Sequence, residues 1–97
     1  MLMDVSWFVY IIEYRNSFLY TGITTDLKRR FEEHQAGGKK AAKALKGKGP
    51  LKLVFLQKMQ NRSHASKAEH FIKKLTKDQK NKIINQGFFD FDKEINN

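Results

Sequence analysis

The pattern of apolar and polar positions changes period several times along the chain. Trp7 to Tyr14 is rich in β-branched and aromatic residues, and Phe18 to Ile23 repeats that character after Arg15-Asn16-Ser17, a run suited to a turn. The two segments read as a β-hairpin. Thr24-Thr25-Asp26 then offers N-cap chemistry for a helix over Leu27 to Gln35, where Leu27, Phe31 and His34 recur at helical spacing. From Ala36 to Pro50 the sequence turns to Gly, Ala and Lys. A short helix over Lys40 to Leu45 fits that composition, but the stretch has little to bury and reads as a mobile basic loop. Leu51 to Met59 supplies a third strand. Ser63 to Leu75 sets Ala65, Ala68, Ile72 and Leu75 on one helical face, and Thr76 with Gln79 makes a capping box for a last helix to about Gln86. The order β-β-α-β-α-α predicts an α+β fold in a single domain over residues 1–87. An acidic, aromatic tail over 88–97 follows, as either a packed extension or a frayed end.

Composition narrows the classes. With 97 residues there is room for one small core, and 40% apolar with 12% aromatic residues excludes disorder throughout. The absence of cysteine removes disulfides, thiolate zinc sites and thiol nucleophiles, and suits a reducing compartment. The apolar run from Val5 to Ile12 is broken by Ser6, ends at Glu13, and has neither a basic leader nor the length of a membrane span. A cytoplasmic protein without a membrane partner is the expectation.

Charge points to the partner. Nineteen Lys and Arg against ten Asp and Glu give a formal +9, so a polyanion is expected. Between Glu33 and Glu69 stand nine basic residues and no acid: Lys39, Lys40, Lys43, Lys46, Lys48, Lys52, Lys58, Arg62 and Lys67. Such a run is commonly solvated surface, but lysines grouped with glycines on a loop also suit a phosphate backbone.

Three further features stand out. A connection pairing Tyr14 with Phe18 places Ile12 opposite Tyr20 and Tyr10 opposite Gly22, so both tyrosines share one face. Tyrosine is an ordinary strand residue, whereas glycine inside a strand often marks a close approach. On the first helix, at about 100 degrees per residue, Arg30 and His34 flank the apolar stripe while Arg29 faces solvent. Their i, i+4 spacing lets both address one ligand, though each also reads as a boundary residue of the stripe. On the next helix Glu69 falls on the apolar face, where a carboxylate needs a metal or a cation such as Arg30.

Phe8-Val9-Tyr10, Tyr20-Thr21-Gly22, Arg30, His34 and Glu69, in that order and spacing, resemble the GIY-YIG nuclease family from about Trp7 to Gln86. The run from Tyr20 to His34, the Lys43-Ala-Leu-Lys-Gly-Lys-Gly block and the Ala68-Glu69 helix look like its small stand-alone bacterial members, the YhbQ-like proteins. The resemblance implies a three-stranded antiparallel sheet flanked by helices and hydrolysis of a nucleic-acid phosphodiester with one divalent ion, Mg²⁺ or Mn²⁺. Glu69 would be the metal ligand, Arg30 the phosphate clamp, Tyr10 and Tyr20 the tyrosine pair, and His34 the residue four after the arginine. Gly22 matches the motif glycine and is expected, with Lys39, Lys40, Lys43, Lys46 and Lys48, to lie against DNA. Phe8 stands where the first motif glycine is usual, and the asparagine many members carry after the glutamate has no clear match, Asn85 being nearest.

These residue types suit that chemistry. An anionic phosphodiester needs a cation on a nonbridging oxygen, a charge clamp and a group to deprotonate water. One carboxylate with several waters is ordinary coordination for Mg²⁺, and a guanidinium offers a planar fork to phosphate oxygens. Tyr10 is expected as base or water-positioner and Tyr20 as its support. The leading expectation is a nuclease acting on DNA rather than RNA, in repair or recombination. The alternatives are a non-catalytic nucleic-acid-binding module of the same fold and an adaptor using Phe88, Phe89 and Phe91 as a protein contact.

Overall fold

A short connection fixes the hairpin. β1 (Trp7–Tyr14) and β2 (Phe18–Thr24) pair antiparallel with Tyr14 opposite Phe18, Ile12 opposite Tyr20 and Tyr10 opposite Gly22, the register expected from the turn. Arg15 and Asn16 close that turn with φ of 50° and 67°, a left-handed conformation that asparagine tolerates well. β3 (Leu51–Met59) pairs antiparallel with the other edge of β1, giving the sheet order β2-β1-β3. The chain is seen as a computed structural model that describes residues 5–95.

Because β1 is central, both its faces are covered, and Val9 to Ile12 are all buried. Val9 and Ile11 join a core with Ala65, Ala68 and Ile72 of α2 (Arg62–Lys73), Ile83 of α3 (Lys77–Gln86) and Phe91 of α4 (Phe91–Ile95). Tyr10 and Ile12 point the other way, to Leu45 and Leu51, with Leu27 and Phe31 of α1 (Leu27–Ala36) against them. A register shift between Ile11 and Ile12 makes one change of face possible: Ile11 pairs with Phe55 but Ile12 with Leu53, leaving Val54 as an extra residue on β3. Such a bulge reverses the alternation, so Phe55 enters the first core and Leu51 the second.

The helices start where their caps stand. The Asp26 carboxylate accepts from the Arg29 N–H, Asn61 from the His64 N–H, and Thr76 with Gln79 forms the reciprocal capping box. α2 begins one residue earlier and ends two earlier than the periodicity suggests.

Two segments differ from expectation. The stretch read as a mobile basic loop is a packed cap: Ala41 and Leu45 are buried, and a 3₁₀ turn over Lys43–Leu45 delivers Leu45 to the core around Tyr10 and Ile12. The aromatic tail is a packed extension. Gln57 donates to the Phe89 carbonyl at 2.8 Å and accepts from the Phe89 N–H at 2.9 Å, Phe71 stacks on Phe89, and Phe91 is buried. Phe89 and Phe91 are therefore committed to the fold, which leaves Phe88 as the exposed member of the three considered for a protein contact. Residues 96 and 97 of the expected tail, and 1–4 of the domain, lie outside the described residues. Among the described residues no helix is long and apolar enough to cross a membrane.

Candidate active site

Tyr10, Tyr20 and His34 meet on the α1 side of the sheet because β1 and β2 present their even-numbered side chains there and α1 lies across them. The ring centroids are 6.4 Å apart for Tyr10 and Tyr20, 6.1 Å for Tyr10 and His34, and 5.5 Å for Tyr20 and His34. The Tyr10 hydroxyl stands 2.9 Å from Nε2 of His34, and the Ala42 backbone N–H donates to Nδ1 at 3.1 Å.

These contacts assign the histidine's tautomer. An amide N–H only donates, so Nδ1 carries a lone pair; burial, reinforced by Arg30, pushes the imidazole pKa down to about 4, so the ring is neutral at pH 7. Its one proton is on Nε2 and is donated to the Tyr10 oxygen. The phenol's own hydrogen is left free for a third partner. His34 is thus a buried, fully satisfied residue rather than a boundary one, and its ring is engaged by Tyr10 and the Ala42 N–H rather than set beside Arg30 to face a shared ligand.

The Tyr10 phenol has its pKa raised to about 12 by burial and the neighbouring Tyr20, with the Glu69 carboxylate adding to the rise and Arg30 opposing it. Tyr10, Tyr20, Arg30 and Glu69 therefore lie within electrostatic reach of one another. Arg30 donates through Nη1 to Glu33 at 3.1 Å and to the Lys40 carbonyl. Burial works against its charge, but Glu33 and the two phenols outweigh it and lift its pKa above the ordinary value. Glu33 is three residues on, an i, i+3 pair visible in the sequence; the Lys40 carbonyl becomes available only because the basic segment folds back.

Glu69 is half-buried, its side chain 25% exposed, and its partner is Lys73 at 3.4 Å rather than Arg30. Among the described residues no three His, Cys, Asp or Glu side chains are grouped to cage a metal. A single carboxylate reachable by solvent instead fits Mg²⁺, which keeps most of its waters and takes one or two protein carboxylates together with phosphate oxygens.

Gly22 is packed against Tyr10. It is buried, and a Cβ there would collide with the Tyr10 hydroxyl and its Cζ atom. The close approach that glycine permits is that of Tyr10 itself. Lys39, Lys40, Lys43 and Lys46 are exposed, and Lys48 lies 5.8 Å over the Tyr14 ring. Since the Lys40 carbonyl holds Arg30, this basic surface adjoins the tyrosine pair. Phe8 is half-buried opposite Thr24, and Asn85 is exposed on α3, whose Ile83 packs in the opposite core.

Known proteins resemble this chain in sequence and fold. The model of the GIY-YIG catalytic domain matches residues 6–83. The UPF0213 protein YhbQ of Escherichia coli strain K12 is 51% identical over 81 residues, covering 84% of this chain and 79% of that protein. The UPF0213 protein YhbQ of Shigella boydii serotype 18 is 49% identical over the same length and coverage. The solution NMR structure of the UPF0213 protein BH0048 from Bacillus halodurans is similar with a TM-score of 0.54 at 33% identity, covering 84% of each chain.

Proposed function

The chain belongs to the GIY-YIG family, a nuclease family whose substrate is nucleic acid, and from that premise we propose that it is a divalent-metal-dependent enzyme hydrolysing DNA phosphodiester bonds in cytoplasmic repair or recombination. The observation that carries the reading is the meeting of Tyr20 and His34 at the single phenol of Tyr10, with the charges of Arg30 and Glu69 near enough to bear on its ionisation.

Each group has a place in the reaction. Arg30, oriented by Glu33 and the Lys40 carbonyl, presents its remaining N–H groups to a nonbridging phosphate oxygen. Tyr10, its oxygen fixed by His34, first loses its own hydrogen to solvent, and the resulting phenolate takes the proton of the attacking water as the new P–O bond forms; the departing ester oxygen leaves with the electrons of the broken bond and is protonated from solvent. Glu69 would hold Mg²⁺ or Mn²⁺, which when bound supplies positive charge to the phosphate and to the phenolate. That charge matters because a phenol with a pKa near 12 is almost wholly protonated at neutral pH. The hydrogen bond from His34 favours the same ionised form, since it is donated to the oxygen that becomes anionic.

The test is incubation of the protein with labelled single-stranded, duplex and branched DNA, with RNA in parallel, in Mg²⁺ or Mn²⁺. Wild-type protein should release product and Glu69→Ala should not; equal traces from both would end the enzymatic reading. A binding module that holds nucleic acid without cutting it is the second reading. It is favoured by the absence of a placed counterpart to the family asparagine, and it requires salt-sensitive binding that survives EDTA and Glu69→Ala.

A further inference from the structure

Phe18 ends the hairpin on the edge strand β2 with 55% of its surface exposed. One face of its ring is stacked on Tyr14, with centroids 5.5 Å apart and planes inclined at 22°, and Tyr14 is itself covered by Lys48. One face of the ring is therefore covered. Beside it a cleft of about 260 Å³ is lined by Ser17, Phe18, Leu19, Lys77 and Lys80, the lysines coming from the first turn of α3. No acid lines the cleft, and neither lysine makes an ion pair among the described residues.

An exposed aromatic ring with one face packed, next to two unneutralised ammonium groups, is the chemistry of single-strand nucleotide binding, in which a base stacks and its phosphate meets a cation. A lone exposed Phe needs no explanation; one stacked on a neighbour with two lysines beside it does. We propose that this cleft binds an unpaired nucleotide of the substrate strand, its base on Phe18 and its phosphate between Lys77 and Lys80.

The cleft lies at the hairpin end of the edge strand β2, between the face that carries Phe18 and Tyr20 and the opposite face, where Leu19 packs with the core of α3. Phe18 and Tyr20 point to the same face of β2 two residues apart, roughly 7 Å, and the Tyr10 and Tyr20 rings are 6.4 Å apart. The platform thus lies one or two nucleotide steps from a phosphate held at Tyr10. Bases within a duplex have their faces covered by stacking, so only an unpaired base reaches the ring. The substrate class is then nucleic acid with a single-stranded segment beside the cut, such as an overhang, flap or gap. This assignment of substrate rests on the nuclease reading, whereas the binding itself does not.

The experiment uses full-length Glu69→Ala protein in EDTA, so that nothing is cut. Anisotropy is measured with a fluorescein-labelled oligothymidylate, the matching oligouridylate and a blunt duplex of equal length. Adding Phe18→Ala should weaken single-strand binding by about tenfold, within the range for loss of one base stack, and leave duplex binding nearly unchanged. Phe18→Tyr should restore it and Phe18→Leu should not. Lys77→Gln with Lys80→Gln should make the dependence of log affinity on log salt shallower by about 1.4 for a single strand if both lysines meet phosphate. Thermal melting of each variant confirms that the exposed substitution leaves the fold intact. Unchanged single-strand affinity in Phe18→Ala, equal loss for single strand and duplex, or rescue by Phe18→Leu would each overturn the proposal. If the pattern appears with either oligonucleotide while wild type cuts nothing, the cleft stands and the nuclease reading falls. If wild type cuts but Phe18→Ala binds normally, the reverse holds.

Discussion

The Tyr10 hydroxyl oxygen accepts a hydrogen bond of 2.9 Å from Nε2 of His34, a ring whose other nitrogen is occupied by the Ala42 N–H. One imidazole thereby joins β1, α1 and the basic segment, and its tautomer leaves the phenolic hydrogen free to face a ligand.

Replacing that ring by an isosteric apolar one separates support from packing. His34→Phe keeps volume but leaves the Ala42 N–H without its partner, at a cost of about 1–3 kcal/mol for a buried donor. Denaturant unfolding should show that loss. Cleavage by the folded variant should fall by at least about tenfold, because Tyr10 loses the bond that orients its oxygen. Nuclease activity equal to wild type in a destabilised but folded His34→Phe would show that the contact only holds the segment in place.

The same histidine sets the acid limit of stability. Its pKa is about 4 in the fold against about 6.5 in the unfolded chain, so between those values the unfolded state binds more protons. Stability is therefore full above about pH 6.5 and declines as pH falls through that window, with uptake of up to one additional proton on unfolding. Denaturation midpoints measured from pH 7.5 to 4 should drop more steeply for wild type than for His34→Phe, which has no proton to take up at that position. Parallel curves would contradict the assignment of a neutral buried ring.

Gly22 faces Tyr10 so closely that a methyl group would occupy the phenol's place. Gly22→Ala should cost about 1–3 kcal/mol through overpacking, and it should impair cleavage more than the fold because Tyr10 must shift to accommodate the change. Paired with Tyr10→Phe, the activity losses should not add, since both act on one hydroxyl. Fully additive losses would place the role of Gly22 elsewhere.

Much of this arrangement was legible in the chain, for identifiable reasons. A three-residue connection between Tyr14 and Phe18 admits one convenient register, which placed Tyr10 against Gly22 and on the face of Tyr20. Helical angles put Arg30 and His34 at the rim of the apolar stripe, and the structure brings both to Tyr10, one through charge and one through a hydrogen bond. What stayed hidden depends on tertiary docking. Leu45 and Ala41 have no local periodicity, and their burial arises only when the segment closes over Tyr10 and Ile12. The bulge at Val54 decides which core receives Phe55 and which receives Leu51, and no turn residue announces it. The helical wheel sets Glu69 on the apolar face, yet it retains solvent access beside Lys73, because a wheel gives direction without the depth of the neighbouring surface.

Lys73 competes with any cation for Glu69. The pair is 3.4 Å long and its lysine is 55% exposed, so its strength is at most about 1 kcal/mol. Lys73→Gln should lower the Mg²⁺ concentration giving half-maximal cleavage by up to about fivefold, without changing the rate at saturation. A titration of activity against Mg²⁺ reads both quantities. A variant needing more metal than wild type would mean that Lys73 assists the site, perturbing phosphate and not the ion.

The folded basic segment should contribute affinity rather than catalysis. Lys39, Lys40, Lys43 and Lys46 are exposed on a scaffold pinned by Leu45, by the Ala42 N–H to His34 and by the Lys40 carbonyl to Arg30. Every one of those anchors is backbone or apolar, so the four ammonium groups are dispensable for the fold. Changing all four to glutamine should leave the melting temperature nearly unaltered. In duplex binding it should make log affinity less steep against log salt by about 0.9 for each phosphate contact removed. Under saturating substrate the cleavage rate should stay close to that of wild type, since Arg30 keeps its carbonyl partner. An unchanged salt slope would move the nucleic-acid path off this segment, and a collapsed saturating rate would show that one of these lysines acts at the reacting phosphate.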